Sequence, residues 1–492
     1  MDVVRLTLAL LAKRHLDKAD EVEASGPEGF EFGSKPSPYA LFEDMPAHRE
    51  QHDKGWITAI QSTFKELMKH LPEDARVSPG EATNIACRAN SESHLFLDTF
   101  DRGYNEVIGV FPLSSMYFNH SCDPNCVYVG LPDGRLEIRT LYDVPKGAEL
   151  SVSYVDLLQP REQRRRQLLL TRHFWCKCRR CSMPLSKSED RFMDGILCRK
   201  CRRGVMIFEE TKEVSDIDEL MRDIEALNNE IQGKSAMCES CATEMPVTEL
   251  VDVLKGAIEA YGSAFIALRE RRNADAKAGF DEFLKKYDQK QVLHPYNSYL
   301  INAYIGLMQL GQMMDEPALS LTSGRQVVDR MSKSGALSPN SPELARYQAM
   351  LGRLYISVAK KKEEIPRQTP ATKGLIRRYR IDGKGWIELA YNARYVALGQ
   401  SHPLTVQLQQ LSQTLLPRPP QAATPGPVAE AANSSGSNSA DAAVAESSLE
   451  AAKKAKAKEN KKPTIAQLQQ TVKAAAAAAA AANGNNEEKQ QE

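Results

Sequence analysis

Nine of the chain's ten cysteines lie between positions 122 and 241, and their spacing is that of metal ligands. Cys176-Lys-Cys178-Arg-Arg-Cys181 offers three thiolates in one short loop, one fewer than a closed tetrahedral zinc site takes. The fourth must come from elsewhere, and Cys122 and Cys126 are the economical donors. Downstream, Cys198-x-x-Cys201 and Cys238-x-x-Cys241 are two knuckles with 36 residues between them. Two matched copies favour one shared four-sulfur metal site over a redox pair. Two zinc ions per chain are therefore expected, the second holding a ribbon-like insert. Another string with chemical content is Asn119-His-Ser-Cys-Asp-Pro-Asn-Cys126. Its Asp-Pro-Asn reverses the chain, and the Asn and His ahead of it, once buried, need polar partners. Cys87 reads as packing. His15, His48, His52, His70, His94, His173, His294 and His402 show no ligand spacing and read as ordinary surface or core residues.

Elements must bring these residues together. Apolar residues at helical spacing predict helices over 1–20 and 55–71, with a Gly/Pro/Ser-rich loop over 25–38 between them. Short strands are predicted at 107–111, 136–141 and 150–155, the last ending beside Tyr154, with turns at 132–134 and 145–147. After Pro160 an arginine-rich helix leads into the cysteine zone. Its run 161–166 holds four arginines without interleaved aromatics, which predicts a solvated helix face rather than a nucleic-acid patch. Paired helices are predicted at 257–271, 274–287, 296–314, 318–332, 341–360 and 384–398. From 417 onward there is no aromatic residue, and nine consecutive alanines occur, so a disordered tail is predicted over 417–492.

Composition sets the outer limits. In 492 residues, 42% are hydrophobic and 26% charged, which is globular usage and excludes collagen or a wholly disordered chain. Lys+Arg and Asp+Glu are both 64, so no global field draws the protein to nucleic acid or anionic lipid. No apolar run reaches the roughly 20 residues of a membrane helix. A cytosolic or nuclear address is expected. The domains expected are 1–94, a helical N-terminal region; 95–158, a β-rich core; 159–247, the cysteine zone; 250–416, helical; and 417–492, the tail.

Taken in order, the Asn119–Cys126 string, Glu149-Leu-Ser-Val-Ser-Tyr154 and Phe174-Trp-Cys-Lys-Cys-Arg-Arg-Cys181 resemble the SET-domain protein lysine methyltransferases, above all the group that also carries a MYND finger. The specific likeness covers about residues 80–182. It implies an α+β fold: a β-rich SET core with a helical insert, a zinc-bound post-SET segment and a C-terminal helical, TPR-like domain. It implies transfer of a methyl group from S-adenosylmethionine to a lysine side chain of a histone or non-histone protein. Tyr154 would be catalytic; Asn119, His120 and Phe174, and more loosely Asn90, would contact the cofactor. Cys122, Cys176, Cys178 and Cys181 would be the post-SET zinc ligands. At the N-terminus the sequence departs from the group. No cysteine precedes Cys87, and Gly26, Gly29 and Gly33 lie in the loop after the first helix rather than in a glycine-rich cofactor strand. A pocket open on one side, binding the cofactor weakly, is expected. A zinc-stabilised, SET-like scaffold for protein–protein contact is the alternative.

Overall fold

The computed structural model describes residues 2–19, 38–97, 106–131, 135–208 and 231–415. Among the described residues, those within 2–60 and 80–415 fall in one compact unit and 61–79 in another. The expected tail and the turn at 132–134 lie outside the described residues, as does nearly all of the loop expected over 25–38.

The first half runs α1 (Asp2–Ala19), α2 (Pro38–Glu43), α3 (Lys54–Leu67), α4 (Pro79–Glu92), β1 (Ser93–Leu97), β2 (Glu106–Val110), α5 (Pro112–Tyr117), β3 (Asn119–His120), β4 (Cys126–Gly130), β5 (Leu136–Thr140) and β6 (Ser151–Val152). These strands form small sheets. β1 and β2 are antiparallel with Ser93 opposite Val110, and β4 and β5 are antiparallel with Cys126 opposite Thr140. β3 lies parallel to β6, pairing Asn119 with Ser151 and His120 with Val152.

The strand expected over 150–155 shrinks to two paired residues because side chains take the ladder's place. The Ser151 amide donates to Asn125 Oδ1 at 2.8 Å and the Tyr154 amide to His120 Nδ1 at 3.0 Å. Beyond the short pairing with β3, these two donors are satisfied by side chains.

The cysteine zone follows as α6 (Arg161–Arg172), α7 (Arg179–Ser182), α8 (Asp190–Met193) and a small antiparallel sheet of β7 (Met206–Ile207), β8 (Ser235–Cys238) and β9 (Glu244–Pro246). The helical region holds α9 (Val247–Arg269), α10 (Asn273–Leu284), α11 (Ser298–Met313), α12 (Pro317–Lys333), α13 (Pro342–Glu363), α14 (Pro370–Leu398) and α15 (Pro403–Thr414). Four of these begin on proline, whose fixed φ and missing N–H suit the first helical position. The antiparallel pair α13–α14 packs backbone to backbone: a Cβ on Gly352 would sit 2.9 Å from the Gly383 carbonyl oxygen. Phe280, Phe283, Leu300 and Leu307 anchor one core of this region, and Val327, Leu344, Leu351 and Tyr355 another. The molecule is thus α+β, with small sheets ahead of a helical C-terminal region.

Candidate active site and metal centres

The sulfurs of Cys122, Cys176, Cys178 and Cys181 all lie within 4.8 Å of one another. Cys122 supplies the fourth thiol; Cys126 instead sits in β4, facing Thr140 across the pair. Donors converge on these sulfurs. The Cys122 amide points to Cys178 Sγ at 3.3 Å, Arg164 Nε to Cys122 Sγ at 3.2 Å, and Arg164 Nη2 to Cys181 Sγ at 3.7 Å. His120 adds another. Its Nδ1 accepts from the Tyr154 amide, so the ring proton is on Nε2, which meets Cys122 Sγ at 3.2 Å. Burial keeps this ring neutral, holding it down at about 4. Sulfurs surrounded by N–H donors are placed to be thiolates, and the four-sulfur set fits one tetrahedral ion of the zinc type.

Arg164 departs from the solvated face expected of the run 161–166. It is fully buried on α6 and pairs with the equally buried Asp190 at 2.8 Å. Arg180 Nη2 meets the same carboxylate at 2.6 Å, and Arg161 Nε at 3.2 Å. Burial alone would raise the Asp190 carboxyl; the hydrogen bonds and charge of Arg164 and Arg180 outweigh it and hold the group at about 2. Arg165 turns to Cys176 and Cys181, donating to both carbonyls. Arg166 alone behaves as a surface residue, pairing with Glu162 one turn away at 3.1 Å. The arginines are spent on the cysteine loop because three thiolates and a buried carboxylate leave a large negative charge to be met.

The second set is Cys198, Cys201, Cys238 and Cys241, also mutually within 4.8 Å. Cys198 and Cys241 sulfurs are 3.7 Å apart, as are those of Cys201 and Cys238. Tetrahedral bonds of about 2.3 Å set sulfurs about 3.8 Å apart. The amides of Gly204 and Ser240 each point to a sulfur at 3.4 Å. Gly204 has to be glycine, since a Cβ would lie 2.7 Å from Cys238 Sγ and 2.6 Å from Ser240 Oγ.

Around Tyr154 the arrangement is aromatic and half-buried. Its hydroxyl donates to the Phe118 carbonyl at 2.6 Å. The His120 ring stands 5.3 Å from Tyr154 and 6.1 Å from Phe174, so the three rings form one row. Tyr154 and Phe174 also pack on the buried sulfurs of the first set. Burial raises the Tyr154 hydroxyl above its ordinary range, with Arg172 opposing. Asn119 lies at the exposed edge, donating to Glu149 Oε1 at 2.8 Å. Asn90 is on the last turn of α4, beside Ser91, whose carbonyl accepts from Arg172. His120, Tyr154 and Phe174 therefore share one site, with Asn119 at its rim and Asn90 at its border.

Two further residues support this site. Asn125 joins the turn to the returning strand, donating to the Glu149 carbonyl at 2.8 Å while accepting from Ser151. The signal for it was the Asp-Pro-Asn turn itself, read only as a reversal. Arg172, the last residue of α6, donates to the carbonyls of Ser91 and Ser93 and lays its guanidinium 4.9 Å from the Tyr154 ring centroid. Nothing in the local sequence sets it apart from the arginines before it.

Residues 9–155, less than a third of the chain, match the SET domain family. Strands β1–β6, the Asn119–Cys126 turn and Tyr154 all lie within that matched stretch. Histone-lysine N-methyltransferase SMYD3 of Mus musculus is 30% identical over 174 residues, covering 35% of this chain and 40% of that protein. A SET domain-containing protein of Dictyostelium discoideum is 33% identical over 125 residues, covering 24% and 31%. Histone-lysine N-methyltransferase ASHR1 of Arabidopsis thaliana is 23% identical over 267 residues, covering 52% and 51%. The chain spans between about a third and a half of the length of these relatives. It is a SET-domain protein related to several SET- and MYND-type methyltransferases. Among the described residues no helix is long and apolar enough to cross a membrane.

Proposed function

We propose that the chain is an S-adenosylmethionine-dependent protein lysine N-methyltransferase acting on a lysine side chain of a histone or non-histone protein. The observation that carries this reading is the seating of Tyr154, whose hydroxyl is fixed on the Phe118 carbonyl inside a neutral aromatic row. Phe174 and Tyr154 suit the cofactor, since electron-rich ring faces attract a sulfonium cation. Asn119 and Asn90 add polar groups at the edge. His120 has both ring nitrogens engaged, so its part is to tie Tyr154 to Cys122 and to offer main-chain groups. S-adenosylmethionine, when bound, supplies the electrophilic methyl carbon.

The chain's residues handle the amine. A lysine ammonium, pKa about 10.4, must lose its proton before nitrogen can form the new bond as the sulfur–carbon bond breaks. The half-buried aromatic site favours the neutral amine by partial desolvation, and the proton leaves to solvent. With its own proton committed to Phe118, the Tyr154 oxygen keeps lone pairs to accept from the amine N–H and hold it in line. The acceleration is mainly positional. Both cysteine sets, as zinc sites, would be structural.

The alternative reading, a SET-like scaffold that binds proteins without methyl transfer, is favoured by one contact. Arg172 covers a face of the Tyr154 ring, so a fixed cation occupies ground an incoming ammonium would use. Labelled methyl transfer from S-adenosylmethionine to a mixture of core histones and cell proteins separates the two. Transfer that Tyr154→Phe lowers at least a hundredfold supports the enzyme. Transfer unaffected by that change removes Tyr154 from the reaction, and cofactor binding without transfer supports the scaffold.

A further inference from the structure

Three histidines read as ordinary residues in the sequence meet in the fold. His52 and His173 have ring centroids 4.7 Å apart at 79°, and His48 stands 5.0 Å from His173. Rings on one ion sit about 5 Å apart, given metal–nitrogen bonds of about 2.0–2.1 Å. His52 is only 9% exposed, and its Nε2 is buried without a hydrogen-bond partner. The main chain of Cys87 lies near the ring. His173 also keeps a bare nitrogen: Nε2 meets Ser91 Oγ at 3.0 Å, and Nδ1 is buried and unpartnered. Leaving a buried nitrogen unpaired is costly. One nitrogen anchored on oxygen and the other bare is how metal-ligating histidines are held.

We infer that His48, His52 and His173 form a third metal site, for a divalent ion of the zinc or cobalt class bound through imidazole nitrogen alone. Among the described residues only the two cysteine sets bring three ligand atoms within 4.8 Å of one another, so the histidine site is open as it stands. His48 is the ring that closes it. It is half-buried, sits at φ 49° ahead of the single turn Arg49–Gln51, and makes no capping bond. Rotation of its side chain would bring the third nitrogen in, leaving the fourth position to water. Burial lowers both inner histidines, His173 to about 4, which keeps them neutral and ready to ligate. The ion would tie the segment before α3 to the end of α6, one residue ahead of Phe174.

Titration of the zinc-loaded full chain with Co2+ tests this. One further equivalent is expected, with d–d absorption but no thiolate-to-cobalt band. His52→Ala and His173→Ala should each weaken uptake at least a hundredfold, and His48→Ala about tenfold, while zinc stays at two per chain. His52→Gln and His48→Ala keep the test sound if His173→Ala fails to fold. No third equivalent, a third equivalent indifferent to all these substitutions, or cobalt found only on thiolate would overturn the assignment.

Discussion

The two cysteine sets share a ligand chemistry and differ in what surrounds it. The first draws Cys122 from one segment and three thiols from another more than fifty residues on, and is supported by charged and ring N–H groups from Arg164 and His120. The second joins two tight turns and is supported by the amides of Gly204 and Ser240 and the Thr243 hydroxyl. In the first, Cys122 and Cys176 are buried and Tyr154 and Phe174 pack on the sulfurs. In the second, Cys201 and Cys241 remain half-exposed. An ion in the first set would hold the candidate active site together, whereas one in the second would join two turns beside the core that β7–β9 share with the helices that follow.

The largest expected effect comes from removing one ligand at each set. A structural zinc site contributes on the order of 10 kcal/mol, so each loss should be severe, but in different places. Cys178→Ser should lower thiolate-bound metal by one equivalent and lose cofactor binding along with the native environment of Tyr154. Cys201→Ser should also lower it by one equivalent while leaving cofactor binding within about twofold. Metal analysis with calorimetry reads both outcomes.

Next is the buried charge network, found only at the first set. Asp190→Asn strands Arg164 and Arg180, and should cost about 3–5 kcal/mol in denaturant unfolding. Its pH dependence has a definite sign. The folded carboxyl is depressed from 3.8 to about 2, so its contribution is complete above pH 4 and fades as pH falls through about 2. The gap between wild type and Asp190→Asn should close over that window. A gap constant from pH 6 to pH 2 would show that Asp190 carries no charge-linked stability.

Gly204→Ala should then cost about 1–3 kcal/mol by overpacking the second set alone, with Tyr154 fluorescence unchanged. The smallest effect should be Arg166→Ala, about 0.5 kcal/mol or less, since its ion pair is a surface one. Equal losses for Asp190→Asn and Arg166→Ala would erase the distinction between the buried and solvated faces of α6.

Much of this was legible in residue spacing. The second thiol set was legible in spacing alone, because four sulfurs must close on one point; in the first, spacing gave Cys176, Cys178 and Cys181 but left Cys122 and Cys126 open, and the resemblance pointed to Cys122. The strands at 107–111 and 136–141 and helix α1 followed from apolar periodicity. The misses have physical causes. Helix α14 begins at Pro370, about four turns before the expected 384, because Gly374 and a run of arginines mask its periodicity. Helix α15 was missed although His402 caps it, its ring accepting from the Leu404 amide ahead of a proline start. Arg164 could not be told from Arg166, because the carboxylate that buries one of them sits at 190, beyond any local pattern. The His48–His52–His173 meeting is likewise non-local. For Asn119, His120, Tyr154 and Phe174, resemblance named the residues, and only coordinates show that the His120 ring is fully engaged.

The most direct test of the account is calorimetric binding of S-adenosylmethionine to three forms of the full chain: wild type, Cys201→Ser and Cys178→Ser. The account expects binding by wild type, nearly equal binding by Cys201→Ser and none by Cys178→Ser. Undiminished binding by Cys178→Ser, or no binding by wild type with both thiolate sets loaded, would contradict it.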